Sequence, residues 1–283
     1  MPTAPGGAKF REGLVSNWRG HMNDWLHNLP IFWMVAVVFA LTYLVTFAIF
    51  AIVSALAVGE RVKSFKAVSP GILSPLGVLF GLFVAFTAAQ VWGDNERATA
   101  AVDREASALR AVTILAASFP GDTEMQLRGL VRSHIEQAAA QEWPMMAEAS
   151  ANLTAVPRFL AEALNVALKI APEGQGQMTA QRELVTALQS ALDARRQRII
   201  VSHSQVNFVK WLCLVIQAVA ALTAIAFVQS DNRLASAISL GLFSTGVAAS
   251  ILLIAAHDRP FTGALSITPA ALMQVMPEAS GSN

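Results

Sequence analysis

Cysteine is nearly absent from this chain. Cys213 is the only one, which excludes an intramolecular disulfide and a cysteine-based metal site; at the start of an apolar run, it reads as a small buried hydrophobe. Charge is scarce too. Only 14% of residues are charged and the formal net charge is +1, so no basic stripe exists to neutralise phosphates, and nucleic acid is not expected as a partner. Zinc-ligand spacing, a Walker loop, a dinucleotide fingerprint and a nucleophile elbow are all missing. His134 and His203 have no second ligand at i+4, so each reads as a solvated or packing histidine. The expectation is a protein that is not an enzyme and holds no cofactor or metal.

What the chain has in quantity is apolar sequence, with 54% hydrophobic residues and a mean hydropathy of +0.50, too oily for an ordinary soluble domain. About 20 apolar residues carry a helix across a bilayer, and four uncharged runs reach that length. The first, from Ile31, reads as a retained signal anchor. The expected organisation is an amphipathic interfacial helix over 1–30, a transmembrane hairpin over 31–93, a helical cytoplasmic domain over 94–210, a second hairpin over 211–256 and a cytoplasmic tail over 257–283. The fold class is all-α, with four spans and a helical domain inserted between spans 2 and 3.

None of the runs carries an ionisable residue near its middle, which argues against proton-coupled motors and carriers. Near the membrane ends, one side offers Arg19, Arg97, Arg196, Arg198, Lys210 and Arg259 against Arg61, Lys63, Lys66 and Arg233. This bias places both termini and the middle domain in the cytoplasm.

Within the middle domain, apolar Val102, Ala106, Leu109 and Val112 form a stripe that continues the second span as one helix. Breaks are expected at Phe119–Asp122, Trp143-Pro144, Val156-Pro157 and Pro172–Gly176, and the last helix, from Thr179, is expected to run on into the membrane. In the fourth run, Ser236, Ser239, Gly246 and Ser250 share a face suited to hydrogen bonding across helices or to lining a wet path, helix packing being the more frequent use of such a face.

The second run is the most patterned. At helical spacing Gly77, Gly81, Ala85 and Ala88 fall along one side, opposite Leu76, Phe80, Phe83 and Thr87. Small residues four apart let backbones approach closely in lipid, so Gly77, Gly81 and Ala85 are helix-packing candidates, within one subunit or around a symmetric pore. In the short outer loop, Lys63 and Lys66 repeated around an axis would ring a pore mouth with positive potential.

The string Pro75-Leu76-Gly77-Val78-Leu79-Phe80-Gly81-Leu82-Phe83-Val84, followed by Trp92 and Asn95, resembles the pore-helix signature of bestrophin anion channels, with Pro75, Leu76, Gly81 and Val84 matching without a gap. Trp18-Arg19-Gly20 resembles the tripeptide before the first span of that family. Asp258-Arg259-Pro260-Phe261-Thr262-Gly263 resembles its element after the fourth span, the matching positions being Asp258, Pro260, Phe261 and Gly263.

The resemblance implies a homo-oligomer, a pentamer, in the bacterial inner membrane, passing anions passively along the second span. The neck positions would be Ser74, Val78 and Leu82. The sequence departs from the family where two neck aromatics become Val78 and Leu82 and an apolar residue becomes Ser74. It departs again after Gly263, where Ala264-Leu265-Ser266-Ile267 replaces the acidic residues that a calcium site needs, so no calcium clasp is expected. The implied partners are the lipid bilayer, permeant anions and further copies of the chain. The alternative reading is a membrane-anchored signalling or scaffold protein whose cytoplasmic helices bind a protein partner.

Overall fold

A computed structural model describes residues 29–66, 70–154, 156–263 and 265–278, the side chains of Lys63 and Lys66 excepted. The interfacial helix expected over 1–30 and the Trp18-Arg19-Gly20 element therefore lie, but for two positions, outside the described residues. In chain order the helices are α1 (Ile31–Leu56), α2 (Glu60–Lys66), α3 (Leu73–Ala116), α4 (Asp122–Gln137), α5 (Trp143–Ala147), α6 (Arg158–Lys169), α7 (Gln175–Ser202), α8 (Phe208–Val228), α9 (Arg233–His257) and α10 (Ala270–Gln274). No strand occurs among the described residues, in keeping with the all-α expectation. Among the described residues, four helices are long and apolar enough to cross a membrane: α1, the stretch Pro70–Ala116 that contains α3, α8 and α9.

Helix α3 follows a single 3-10 turn, Pro70–Ile72, and Pro75 sits in its first turn, where a missing N–H costs no hydrogen bond. Its 44 residues extend about 66 Å, roughly twice the hydrocarbon thickness of a bilayer. Charges begin at Asp94, so only the stretch up to about Trp92 suits lipid, and the remainder stands in a polar setting.

The chain divides into two compact units. The membrane unit comprises the described part of Met1–Val91 together with Gln205–Asp258. Here helices are joined by hydroxyl pairs: Thr46 Oγ1 lies 2.6 Å from Ser244 Oγ and Tyr43 Oη 2.8 Å from Thr245 Oγ1. In lipid no hydrophobic effect draws α1 to α9, and hydrogen bonds and close packing must do so. The sequence pointed to a different set on α9. Of those residues, Ser250 spends its hydroxyl on Gly246 O of its own helix, while Ser236 is buried; Ser244, outside the set, makes the bond to α1. Phe65 of α2 stacks on Phe227 of α8 at 4.8 Å. Asn207 and Asn232 cap α8 and α9, accepting from Val209 N and Ala235 N.

Helix α7 does not run on into the membrane as expected. It ends at Ser202, and Asn207 starts a new helix. Asp258 Oδ1 accepts from Val206 N at 2.6 Å, satisfying a donor that a continuous helix would have bonded internally.

The polar unit, Trp92–Ser204 with Arg259–Asn283 in its described part, is built on an apolar core of Leu109, Val112, Leu127, Val131, Ile135, Leu160, Leu184 and Leu188, all fully buried. Each such side chain contributes about 1.5–3 kcal/mol on leaving water. Trp143-Pro144 is not the break expected of it. The chain stays helical through a π turn, Ala138–Glu142, in which Trp143 N donates to Ala138 O, and Pro144, which has no N–H to offer, falls in the first turn of α5.

Helix α5 ends in a Schellman motif, Ser150 N donating to Met145 O and Ala149 N to Met146 O, with Ala149 in the left-handed region at φ 51°. That position favours glycine. Replacing Ala149 by Gly relieves a left-handed penalty of about 1–2 kcal/mol at an entropic cost of about 0.5–1 kcal/mol; the variant is expected to unfold at a higher temperature in detergent, by the equivalent of up to about 1 kcal/mol.

Candidate functional site

The membrane half of α3 has one face turned into the chain and one turned out of it. Phe80, Thr87, Ala88 and Val91 are buried, Phe80, Ala88 and Val91 in a core shared with Leu214 and Ala218 of α8 and Val247 and Ile254 of α9. Ser74, Gly81, Ala85 and Ala89 are exposed, as are Val78 at 65% and Leu82 at 50%. A Cβ added at Gly77 or Gly81 would meet nothing within 4 Å, so these two glycines serve no close approach among the described residues. Ala88, grouped with them by spacing, is buried instead, because the edge of the inward arc passes through that side of the helix. Phe86, at 68% exposed, flanks the free face.

In the polar unit, Glu96, Asp103, Ser107 and Arg110 of α3 are exposed. Where the span ends, Gln90 Oε1 accepts a short hydrogen bond from Lys210 Nζ; the lysine was read only as a charge, and Gln90 was not singled out. Lys63 and Lys66 lie on α2.

After α9 the chain turns sharply. Ile267 N donates to Pro260 O at 2.8 Å, and Gly263 takes φ 90°, open to glycine and costly to other residues. Phe261 is buried against the edge of Trp143, with ring centroids 5.9 Å apart at 84°. Thr262 Oγ1 donates to Ala147 O at 2.7 Å.

Deep in the polar unit lies a cluster that sequence reasoning missed. Arg198 is fully buried. Its Nε donates to Glu105 Oε2 at 2.7 Å, and its Nη2 donates to Glu105 Oε1 at 3.1 Å and to Glu142 Oε2 at 2.8 Å. Arg195 Nη2 meets Glu142 Oε1 at 2.7 Å, and the Arg198 guanidinium lies 4.5 Å from the centroid of the Trp143 ring.

His134, buried rather than solvated, places Nε2 2.8 Å from Glu105 Oε1; an ionised carboxylate only accepts, so this nitrogen carries the proton. Arg198, counted earlier among the charges near the membrane, is thus enclosed in protein. Glu105 stands about 20 Å along α3 past Trp92, outside the membrane-spanning part. Burial pushes its carboxyl up, but the Arg198 charge and the hydrogen bonds from His134 and Arg198 outweigh burial and hold it at about 2. The two carboxylates in turn raise the Arg198 pKa against the effect of burial.

Apolar helices long enough to span, with cross-helix hydroxyl bonds and a separate polar unit, define a multi-pass helical membrane protein. A family model described as a Bestrophin-like domain matches residues 40–272. The chain belongs to the Bestrophin-like family. Solved structures agree in fold. The crystal structure of a bacterial bestrophin homolog from Klebsiella pneumoniae carrying a point mutation superposes with a TM-score of 0.65 at 13% identity, over 86% of this chain and 97% of that one. The homolog solved by Zn-SAD phasing gives 0.63 at 13% identity, over 86% and 96%. A variant titled only as a membrane protein gives 0.63 at 14%, over 86% and 96%. No curated protein matches the chain in sequence.

The depressed Glu105 carboxyl sets an acid limit. Its folded pKa of about 2 lies below the ordinary 4.5, so its contribution to stability is complete above pH 4.5 and is lost as pH falls toward 2. Thermal unfolding in detergent should show this loss. Glu105→Gln should cost about 3–5 kcal/mol at neutral pH, because Arg198 then keeps a buried charge with one partner fewer, and should remove that part of the acid dependence.

Proposed function

We propose that copies of this chain assemble around an axis with the membrane half of α3 innermost, forming a passive ion pore that admits anions. The observation that carries the reading is the exposed face of α3, where Ser74, Val78 and Leu82 line up with Gly81 and Ala85 and are left uncovered among the described residues. Membership of the Bestrophin-like family supports it. Absence of ionisable groups from the middle of the spans fits passive permeation, since a coupled carrier binds its driving ion there. A neck of Ser74, Val78 and Leu82 is less greasy than one of aromatics and dewets less readily, so gating by dewetting is not its expected mode.

Anion preference rests on Lys63 and Lys66, whose short helix α2, where a loop was expected, would stand at the outer mouth. The assembly is a pentamer in the bacterial inner membrane, with both termini cytoplasmic, as the charge bias and the family resemblance imply.

Two experiments test this. In a Cys213→Ser background, Val78→Cys should lose most of its current or anion flux on treatment with a small water-soluble thiol reagent, whereas Phe80→Cys, on the inward face, should not; equal insensitivity of both would remove Val78 from the path. Lys63→Glu combined with Lys66→Glu should lower chloride conductance in planar bilayers at low salt and much less at high salt, where screening shortens the reach of the charges. Purified wild-type protein that passes no ion under any condition would end the pore reading.

A further inference from the structure

The polar unit ties its C-terminal segment, residues 259–278, to α3 through three successive contacts. Trp143 is held by this segment twice: its Nε1–H donates to Ile267 O at 2.9 Å, and Phe261 abuts the ring edge-on at 5.9 Å. The ring face carries the Arg198 guanidinium at 4.5 Å. Arg198 in turn grips Glu105 of α3 with two donors. All four side chains are buried.

Burial makes the series stiff. A guanidinium without water can remain only where carboxylates and a π face surround it, so a shift of Trp143 alters the balance of contacts at Arg198, and a shift of Arg198 alters its two-donor ion pair with Glu105. The segment is also fastened away from the tryptophan. Leu272 of α10 is fully buried, and Arg132 Nη1 donates to Pro277 O at 3.0 Å.

We propose that residues 259–278 form a strap that fixes the polar half of α3 by way of Phe261, Trp143, Arg198 and Glu105, so that loosening the strap and loosening α3 are one event. Trp143 and Arg198 act as positioning residues: they pass on the placement of the strap. The strap then serves as a handle on the helix assigned above to the ion path, and anything that lifts it is felt at Glu105. This coupling is independent of whether the assembly conducts.

Hydrogen exchange of the full-length protein in detergent, read by mass spectrometry, tests the coupling. Phe261→Ala should speed exchange by about tenfold, the size of one lost edge-to-face aromatic contact, both in the strap and in peptides covering residues 98–112 of α3. Exchange in α6, which carries none of these side chains, should stay as in wild type. Trp143→Phe keeps an aromatic ring at this position but removes the donor to Ile267 O along with part of the indole; it should reproduce the pattern more weakly and serves if Phe261→Ala does not fold. Because coupling is reciprocal, Glu105→Gln should speed exchange in the strap. A strap that loosens while residues 98–112 stay protected overturns the proposal, and so does uniform loosening that includes α6.

Discussion

A guanidinium buried without water is the constraint around which the polar unit is arranged. Removing such a charge from water costs several kcal/mol even after relaxation, and Arg198 recovers it only where Glu105 of α3, Glu142 of the π turn and the Trp143 ring meet. These groups come from separate stretches of chain, so the requirement is one of register. Leucines at the same places would hold the helices together about as tightly, but would tolerate a slide of one helix along another. Two carboxylates sharing one fork-shaped cation do not. The π turn has a part in this, since it keeps the chain helical past Pro144 while placing Glu142 and Trp143 beside each other on Arg198.

The membrane unit is held by different means. Its helices gain nothing from the hydrophobic effect once in lipid, and the bonds that order them are short hydroxyl pairs such as Thr46 with Ser244 and the Asp258 carboxylate on Val206 N. Asp258 closes the base of the α8–α9 pair, joining the residue after α9 to the residues before α8. It stands immediately before the sharp turn that starts the strap, so one short stretch ends the membrane unit and begins the cover of the polar one.

How much of this the sequence discloses depends on the physics of each element. Spans are legible because lipid demands long uncharged runs, and the continuation of α3 beyond the membrane is legible from the spacing of Val102, Leu109 and Val112. The end of α7 is not, since Asp258, which binds Val206 N, is 52 residues distant in the chain. The ionic cluster went unread because a charged residue on a charge-rich helix looks solvated. A finer signal was present. Glu105 falls on the apolar stripe between Val102 and Leu109, His134 on that of Leu127 and Val131, and Arg195 and Arg198 continue Leu184, Leu188 and Ala191 at spacings of three and four. A charge on the buried stripe of an amphipathic helix must find a counter-charge there, and opposite charges on several stripes announce a shared site.

The same logic separates α3 from the other spans. Helices α1 and α8 expose large apolar side chains, among them Leu41, Leu44 and Phe47 on one and Leu212, Val215 and Ile216 on the other, surfaces suited to lipid chains. The free face of α3 instead offers Ser74, Gly81, Ala85 and Ala89, with Val78 and Leu82 among them. Such a face makes few dispersion contacts with lipid and leaves backbone within reach, and in a membrane that disadvantage is offset when another backbone comes close or when the face lines a wet path. In the polar unit, α3 exposes Glu96, Asp103 and Arg110, which require water. In the membrane unit that line of small residues lies opposite buried Phe80, Thr87, Ala88 and Val91, and it is the line that the proposed assembly would turn toward its axis.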